Sequence, residues 1–376
     1  MHIENLATPC LIVNRTIVEK NISRMKACAS RHGVRLRAHV KTTKSIDIAK
    51  LLVDNDNPGV TVSTLREAEY FSENGITDIL YAVSIVPSKV ARVAALYKKG
   101  VCVQLILDSL ETATEVSRQA EQMGVVFDVL IEIDTDGHRA GIEPDDSALL
   151  AIGQVLDASA GINFLGVMTH AGDAYDCTSL DSIRQHAEQE RSRCVSAAER
   201  LRGAGIECKV VSVGSTPTVM CADNFKGCTE IRAGVFIFCD LFQAGLGVCD
   251  IGDIGLSVLT TVISHKHSHK RLIVDAGGMA LSKDRGTASQ PVDCGYGLVA
   301  DAASGKVIPG LQVSAANQEH GMIELSHTAD FDQYPIGSQL RIFPNHACMT
   351  AAAHDRYFVI EGGDHIVAEW GRCHGW

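Results

Sequence analysis

The chain has 376 residues, 46% of them hydrophobic, and a formal net charge of −11. That length is enough for two cores. An acidic chain with no basic stripe is unsuited to nucleic acid or to an anionic membrane surface.

The N-terminal MHIENLATPCLIVNRT has no basic region followed by a long apolar run. No segment is apolar for long enough to cross a bilayer. The cysteines number 13, an odd count with no C-x-x-C pair. They suit a reducing cytoplasm, with most of them acting as small buried apolar residues rather than as a disulfide framework.

Along the first two-thirds, strand-like runs alternate with helical ones. The strand-like runs are VRLRAHVK (34–41), GVTVST (59–64), DILYAVS (78–84), VQLILD (103–108), VFDVLIEID (126–134), INFLGVMTHA (162–171), CKVVSVGST (208–216) and TEIRAGVFIF (229–238). Between them lie patterns such as IVEKNISRMKACASR and LDSIRQHAEQERSRCVSAAERLRGAG, with apolar residues at helical spacing. Eight strands with crossover helices imply a parallel sheet buried on both faces, and roughly 250 residues suit a (β/α)8 barrel. A doubly wound open sheet is the alternative. From about residue 256, short strand-like runs such as KRLIVDAG, GLVADAASGKVI and YFVIEGGDHIVAEW read as hairpins of a C-terminal antiparallel β domain. The expected division is therefore a barrel over 1–255 and a β-rich domain over 256–376.

A (β/α)8 barrel gathers its chemistry at the C-terminal ends of the strands. In order, those ends carry Lys41, Ser63 and Thr64, Ser84, Asp108, then Glu132, Asp134 and Arg139, then His170 and Asp173, then Gly214-Ser215-Thr216, and Gly234. The seventh end, VVSVGSTPT, has a glycine for close backbone approach, hydroxyls and a following short helix, which together make a nest for a phosphate. An ordinary strand–helix turn with an N-cap is the alternative. A lysine at the first strand facing such a nest is the arrangement that holds pyridoxal phosphate, since a desolvated lysine amine near other cations forms a Schiff base. Arg139 would sit near the ring oxygen, and His170 would stack on the ring or else be a satisfied core histidine.

Taken together, TPCLIVN (8–14), RAHVKTTKS (37–45), EIDTDGHRAG (132–141), GVMTHAGDAY (166–175), VGSTPT (213–218), EIRAGVFIFCDLFQ (230–243), DAGGMALSKD (275–284), QEHG (318–321) and PNHAC (344–348) resemble the fold type III pyridoxal-phosphate enzymes. The matching branch holds D-threonine aldolase and eukaryotic-type D-serine dehydratase. The resemblance implies that Lys41 carries the cofactor and takes the Cα proton, and that Arg139 contacts the ring oxygen. It places His170 and Tyr175 along the ring, and Gly214, Ser215, Thr216 and Gly234 around the phosphate. It makes His346 and Cys348 the pair that binds a divalent metal, and it implies a homodimer acting on a D-amino acid. Three positions depart from the family pattern: Ala38 and Thr43 near the lysine, and Phe236 where the family has tyrosine.

His346-x-Cys348 bears on the reaction. On a strand, i and i+2 share a face, and imidazole with thiolate suits Zn²⁺ and leaves positions open for water and substrate. Cysteine at the second place resembles the dehydratases, whereas the aldolases resemble one another in having aspartate there with Mn²⁺ or Mg²⁺. The expected activity is a metal-assisted dehydratase of D-serine, D-threonine or D-3-hydroxyaspartate, giving keto acid and ammonia. A D-threonine aldolase giving glycine and aldehyde is the alternative. A racemase using Tyr296 as second base, and a non-catalytic pyridoxal-phosphate protein, stand behind these.

Overall fold

The computed structural model describes residues 1–137 and 139–376; His138, within the EIDTDGHRAG stretch, lies outside the described residues. Two compact units emerge. One is Arg24–Gly234 with Cys373–Trp376, and the other is Met1–Ser23 with Val235–Arg372.

The first unit is the expected (β/α)8 barrel. Its parallel strands are Gly59–Val62, Asp78–Tyr81, Cys102–Leu107, Phe127–Ile133, Ile162–Thr169, Val210–Val213 and Glu230–Ile231, with an opening strand broken into Arg35–Leu36 and Ala38–His39. The two halves of that strand close the ring. Glu230–Ile231 pairs with Arg35–Leu36, and Ala38–His39 pairs with Gly59–Val62. Strands buried on both faces read as apolar runs, and Leu80, Ile106, Leu130 and Met168 form one core cluster across four of them.

At Arg37, where the opening strand breaks, a guanidinium inside the protein pairs with Asp78 at 2.7 Å and Glu230 at 2.8 Å. Gly59 makes room for it, because a Cβ there would lie 2.1 Å from Arg37 Nη1. The crossover helices start on polar caps. Thr64 accepts from Glu67 N–H and Ser109 from Thr112 N–H, which satisfies amides that a helix cannot satisfy itself.

The second unit is the antiparallel β domain. Its sheet runs in the order 271–274, 321–324, 307–316, 298–301, 339–343, 256–266, 10–14, 356–360 and 366–371. Arg271–Val274 also pairs with Leu256–Lys266, so part of the sheet closes in a barrel-like way. The division differs from the boundary expected at residue 255. The apolar strand Cys10–Asn14 lies in this sheet, antiparallel to Leu256–Lys266 and parallel to Arg356–Ile360. It brings Ile3, Leu6, Cys10 and Ile12 into a core with Leu259 and Ile360. A strand whose partners lie at the far end of the chain carries no local mark of which sheet it joins.

Among the described residues no helix is long and apolar enough to cross a membrane. Among the described residues no two cysteines are joined, and Cys10, Cys28, Cys194, Cys208, Cys239, Cys294 and Cys373 are buried.

Candidate active site

The barrel places the expected residues at its strand ends. Lys41 follows Ala38–His39 on a turn and is exposed. Desolvation therefore does not come from the barrel itself, because the turn carries the side chain beyond the packed strand. The neighbouring Lys44 is different. Its backbone is left-handed at φ 47, and its Nζ lies 3.2 Å from the buried Glu67. Of the two lysines in the K-T-T-K stretch, one is tied down structurally and the other is offered to the rim.

Around Lys41 the field is positive. His170 is pushed down to about 3, first by burial and then by the charges of Arg139, Lys41 and Arg232. His39 is held well below its ordinary value, first by burial and then by Lys41 and Arg232. Both histidines are therefore held neutral, His170 beside three cations and His39 beside two. Glu132, hydrogen-bonded by Ser84 at 2.8 Å, is raised by burial. Arg139, Arg232 and Lys41 are the cations acting on His170, and this side of the rim suits an anion such as a phosphate.

The seventh strand end contributes shape more than donors. Gly214 has φ 119, and a Cβ there would lie 2.7 Å from Val219 and 2.9 Å from the Arg232 carbonyl oxygen. A Cβ on Gly234 would lie 2.6 Å from the His39 carbonyl oxygen. These glycines leave a cradle that side chains would fill. The Ser215 hydroxyl is buried. It caps helix Thr216–Cys221, accepting from Thr218 N–H in a reciprocal capping box. Thr216 is the first residue of that helix and is buried. The Gly214 N–H donates to Glu190. His170 lies with Nδ1 3.3 Å from the Gly214 carbonyl oxygen and its ring 6.3 Å from that of Tyr175.

In the β domain, His346 and Cys348 are not on a strand as expected. Pro344 follows the strand Gln339–Phe343, and Pro lacks the N–H that would continue the ladder. His346 is the residue before helix Ala347–Ala352, with Cys348 in its first turn. The two side chains still interact. Burial lowers the basicity of His346, but hydrogen bonds with Asp284 and Cys348 outweigh it and raise the imidazole to about 10.

Asp284 Oδ2 is 2.7 Å from His346 Nδ1, which turns Nε2 toward any ion, in the manner of a carboxylate behind a metal-bound histidine. Asp240 accepts from Ala347 N–H at 3.0 Å. Asn345 donates to the Asp284 and Gly295 carbonyl oxygens. Among the described residues no group of three or more histidine, cysteine or carboxylate side chains is placed to hold a metal ion, so His346 and Cys348 would be its two protein ligands. Tyr296 lies beneath Arg285, 5.0 Å from ring centroid to guanidinium carbon. Phe236 is buried.

Four further residues shape these sites without standing out in the sequence. His39 and Arg232 carry a signal by position alone, since each lies two residues before a chosen one. Asp284 and Glu190 carry none.

Residues 13–241 match the family model described as alanine racemase, N-terminal domain, and residues 255–360 the one described as putative serine dehydratase domain. The chain is 46% identical to D-threo-3-hydroxyaspartate dehydratase of Delftia sp. (strain HT23), over 99% of this chain and 98% of that protein. It is 31% identical to D-threonine aldolase of an Arthrobacter species, over 95% of this chain and 89% of that one. Among solved structures it is similar to a cysteine-to-alanine mutant of D-threo-3-hydroxyaspartate dehydratase in the metal-free form, with a TM-score of 0.96 and 44% identity over 100% of each chain.

Proposed function

The chain belongs to the fold type III pyridoxal-phosphate enzymes of the D-serine dehydratase and D-threonine aldolase branch, and from that membership we propose that it is a dehydratase of D-β-hydroxy amino acids, with D-threo-3-hydroxyaspartate its first substrate. The products are the keto acid and ammonia. The observation that carries this reading is the His346–Cys348 pair backed by Asp284.

Dehydration needs a base at Cα and an acid at the β-oxygen. Lys41 holds the cofactor and takes the Cα proton at Nζ. Arg139 and Arg232 would keep positive charge beside the cofactor's anionic oxygens, and His170 and Tyr175 would flank its ring. When bound, pyridoxal phosphate supplies the electron sink for the charge left at Cα. His346 and Cys348 would hold a divalent ion, imidazole and thiolate favouring Zn²⁺ over Mn²⁺ or Mg²⁺, and it would supply a Lewis acid for the departing β-hydroxyl. The reading includes a homodimer in a reducing cytoplasm.

The test is to give the cofactor-loaded protein with Zn²⁺ each of D-threo-3-hydroxyaspartate, D-serine and D-threonine, and to assay keto acid, ammonia, glycine and aldehyde. Keto acid with ammonia, lost in Cys348→Ala, is expected. Glycine with an aldehyde would replace the dehydratase by an aldolase, and interconversion of D- and L-forms would replace it by a racemase.

A further inference from the structure

The long helix Leu180–Gly203 turns one carboxyl group, that of Glu190, into the protein, where it is 2% exposed. Its Oε1 accepts from the Ala171 N–H and the Gly214 N–H, each at 3.0 Å. The Thr218 hydroxyl also bonds to it. These donors come from the turn after Ile162–Thr169, the turn after Val210–Val213 and the helix Thr216–Cys221. The arrangement closes on itself. Ala171 is the neighbour of His170, and the Gly214 carbonyl oxygen faces His170 Nδ1. A carbonyl oxygen only accepts, so Nδ1 carries the ring proton and Nε2 keeps its lone pair. Burying a carboxyl group is costly unless its hydrogen bonds are made, and here two come from strand-end turns and the third from the helix that follows one of them.

We propose that Glu190 is a positioning residue for the cofactor cleft: it pins the Gly214 peptide and the His170 turn together, and so sets the His170 tautomer and the direction of its ring. The proposal rests on the reading of this rim as the pyridoxal-phosphate cleft. Glu190 touches no reacting atom and acts through His170 and Gly214.

The test uses the full-length protein, stripped of cofactor and titrated with pyridoxal phosphate by absorbance. In parallel, nitrogen-15 NMR of histidine-labelled protein follows the ring nitrogens, with the His170 signals assigned by their loss in His170→Gln. Glu190→Ala is expected to weaken cofactor binding by about tenfold or more, the scale of losing hydrogen bonds to a buried carboxyl group, and to turn His170 from a single tautomer into a mixture. Glu190→Gln keeps an acceptor oxygen in place. It is expected to bind within about threefold of wild type, with the tautomer unchanged. Where Glu190→Ala does not fold, Glu190→Asp, which withdraws the oxygen by one methylene, carries the same expectation. A folded Ala or Asp variant that binds the cofactor as wild type does, with His170 unchanged, overturns the proposal. A wild-type protein that binds no pyridoxal phosphate removes the cleft reading and this proposal with it.

Discussion

His346 and Asp284 are joined by a 2.7 Å contact between Nδ1 and Oδ2. The contact fixes which nitrogen remains for an ion, and it gives the metal reading a graded test. His346→Ala and Cys348→Ala each remove a ligand and are expected to abolish stoichiometric zinc retention, measured by equilibrium dialysis against a competing chelator. Asp284→Ala leaves both ligands and loses only the orientation of the imidazole, so zinc affinity is expected to fall about 10–100-fold. Full zinc retention in His346→Ala would show that the ion is held elsewhere.

Lys41 and Lys44 separate a chemical lysine from a structural one. Borohydride treatment of the pyridoxal-phosphate-loaded protein is expected to attach the cofactor to the peptide containing Lys41, as read by mass spectrometry. Lys41→Ala abolishes that attachment and lowers turnover by about a thousandfold or more. Lys44→Ala keeps the attachment but leaves Glu67, wholly buried, without its cation, at a cost of about 1–3 kcal/mol in stability. Attachment at Lys44 instead would reverse the two roles.

Much of this is legible in the sequence because a parallel barrel writes itself locally. Each strand is an apolar run bounded by turn residues, and the rim residues follow its end by position alone. Lys41, His170 and Gly214 stand out in that way. What is not legible depends on contacts distant in sequence. Cys10–Asn14 looks like one more apolar strand, yet it completes the other unit's sheet. His346-x-Cys348 reads as a strand pair unless Pro344 is taken as the strand's end. The Ser215 hydroxyl reads as a phosphate donor, and only the fold shows that its oxygen also caps a helix. Glu190 lies in a helix rich in charge, where nothing distinguishes the one carboxyl group that points inward.

The two neutral histidines give a pH dependence. An unfolded histidine titrates near 6.5, whereas folded His170 is pushed down to about 3, by burial first and then by Arg139 and Lys41. Between these values the unfolded chain binds a proton that the folded chain refuses. The contribution is complete above about pH 6.5 and is lost progressively as the pH falls toward 3. At pH 5 the loss is about 2 kcal/mol relative to pH 7. Urea midpoints of the cofactor-free protein at the two pH values are expected to differ accordingly. His170→Gln shows a smaller difference, with His39, displaced in the same direction, accounting for part of the remaining slope. An identical pH response in wild type and His170→Gln would mean that this imidazole is protonated in the fold.

Gly124 and Gly214 allow conformational freedom to be told apart from close approach. Both have positive φ, 63 and 119. Gly124 ends the helix Leu110–Met123, and a Cβ there would meet nothing within 4 Å, whereas a Cβ on Gly214 would meet Val219 and the Arg232 carbonyl oxygen. Gly124→Ala is expected to cost about 1 kcal/mol, the penalty of a left-handed alanine alone. Gly214→Ala adds a clash with backbone that cannot withdraw, and is expected to cost about 3 kcal/mol in total. The denaturant midpoint at unchanged slope measures both. Only Gly214→Ala is expected to weaken pyridoxal phosphate binding, because its added methyl group forces apart the turn that carries the Gly214 carbonyl and, through it, His170. Equal costs for the two substitutions, with cofactor affinity untouched, would mean that the turn has room to spare and that the glycine serves φ alone.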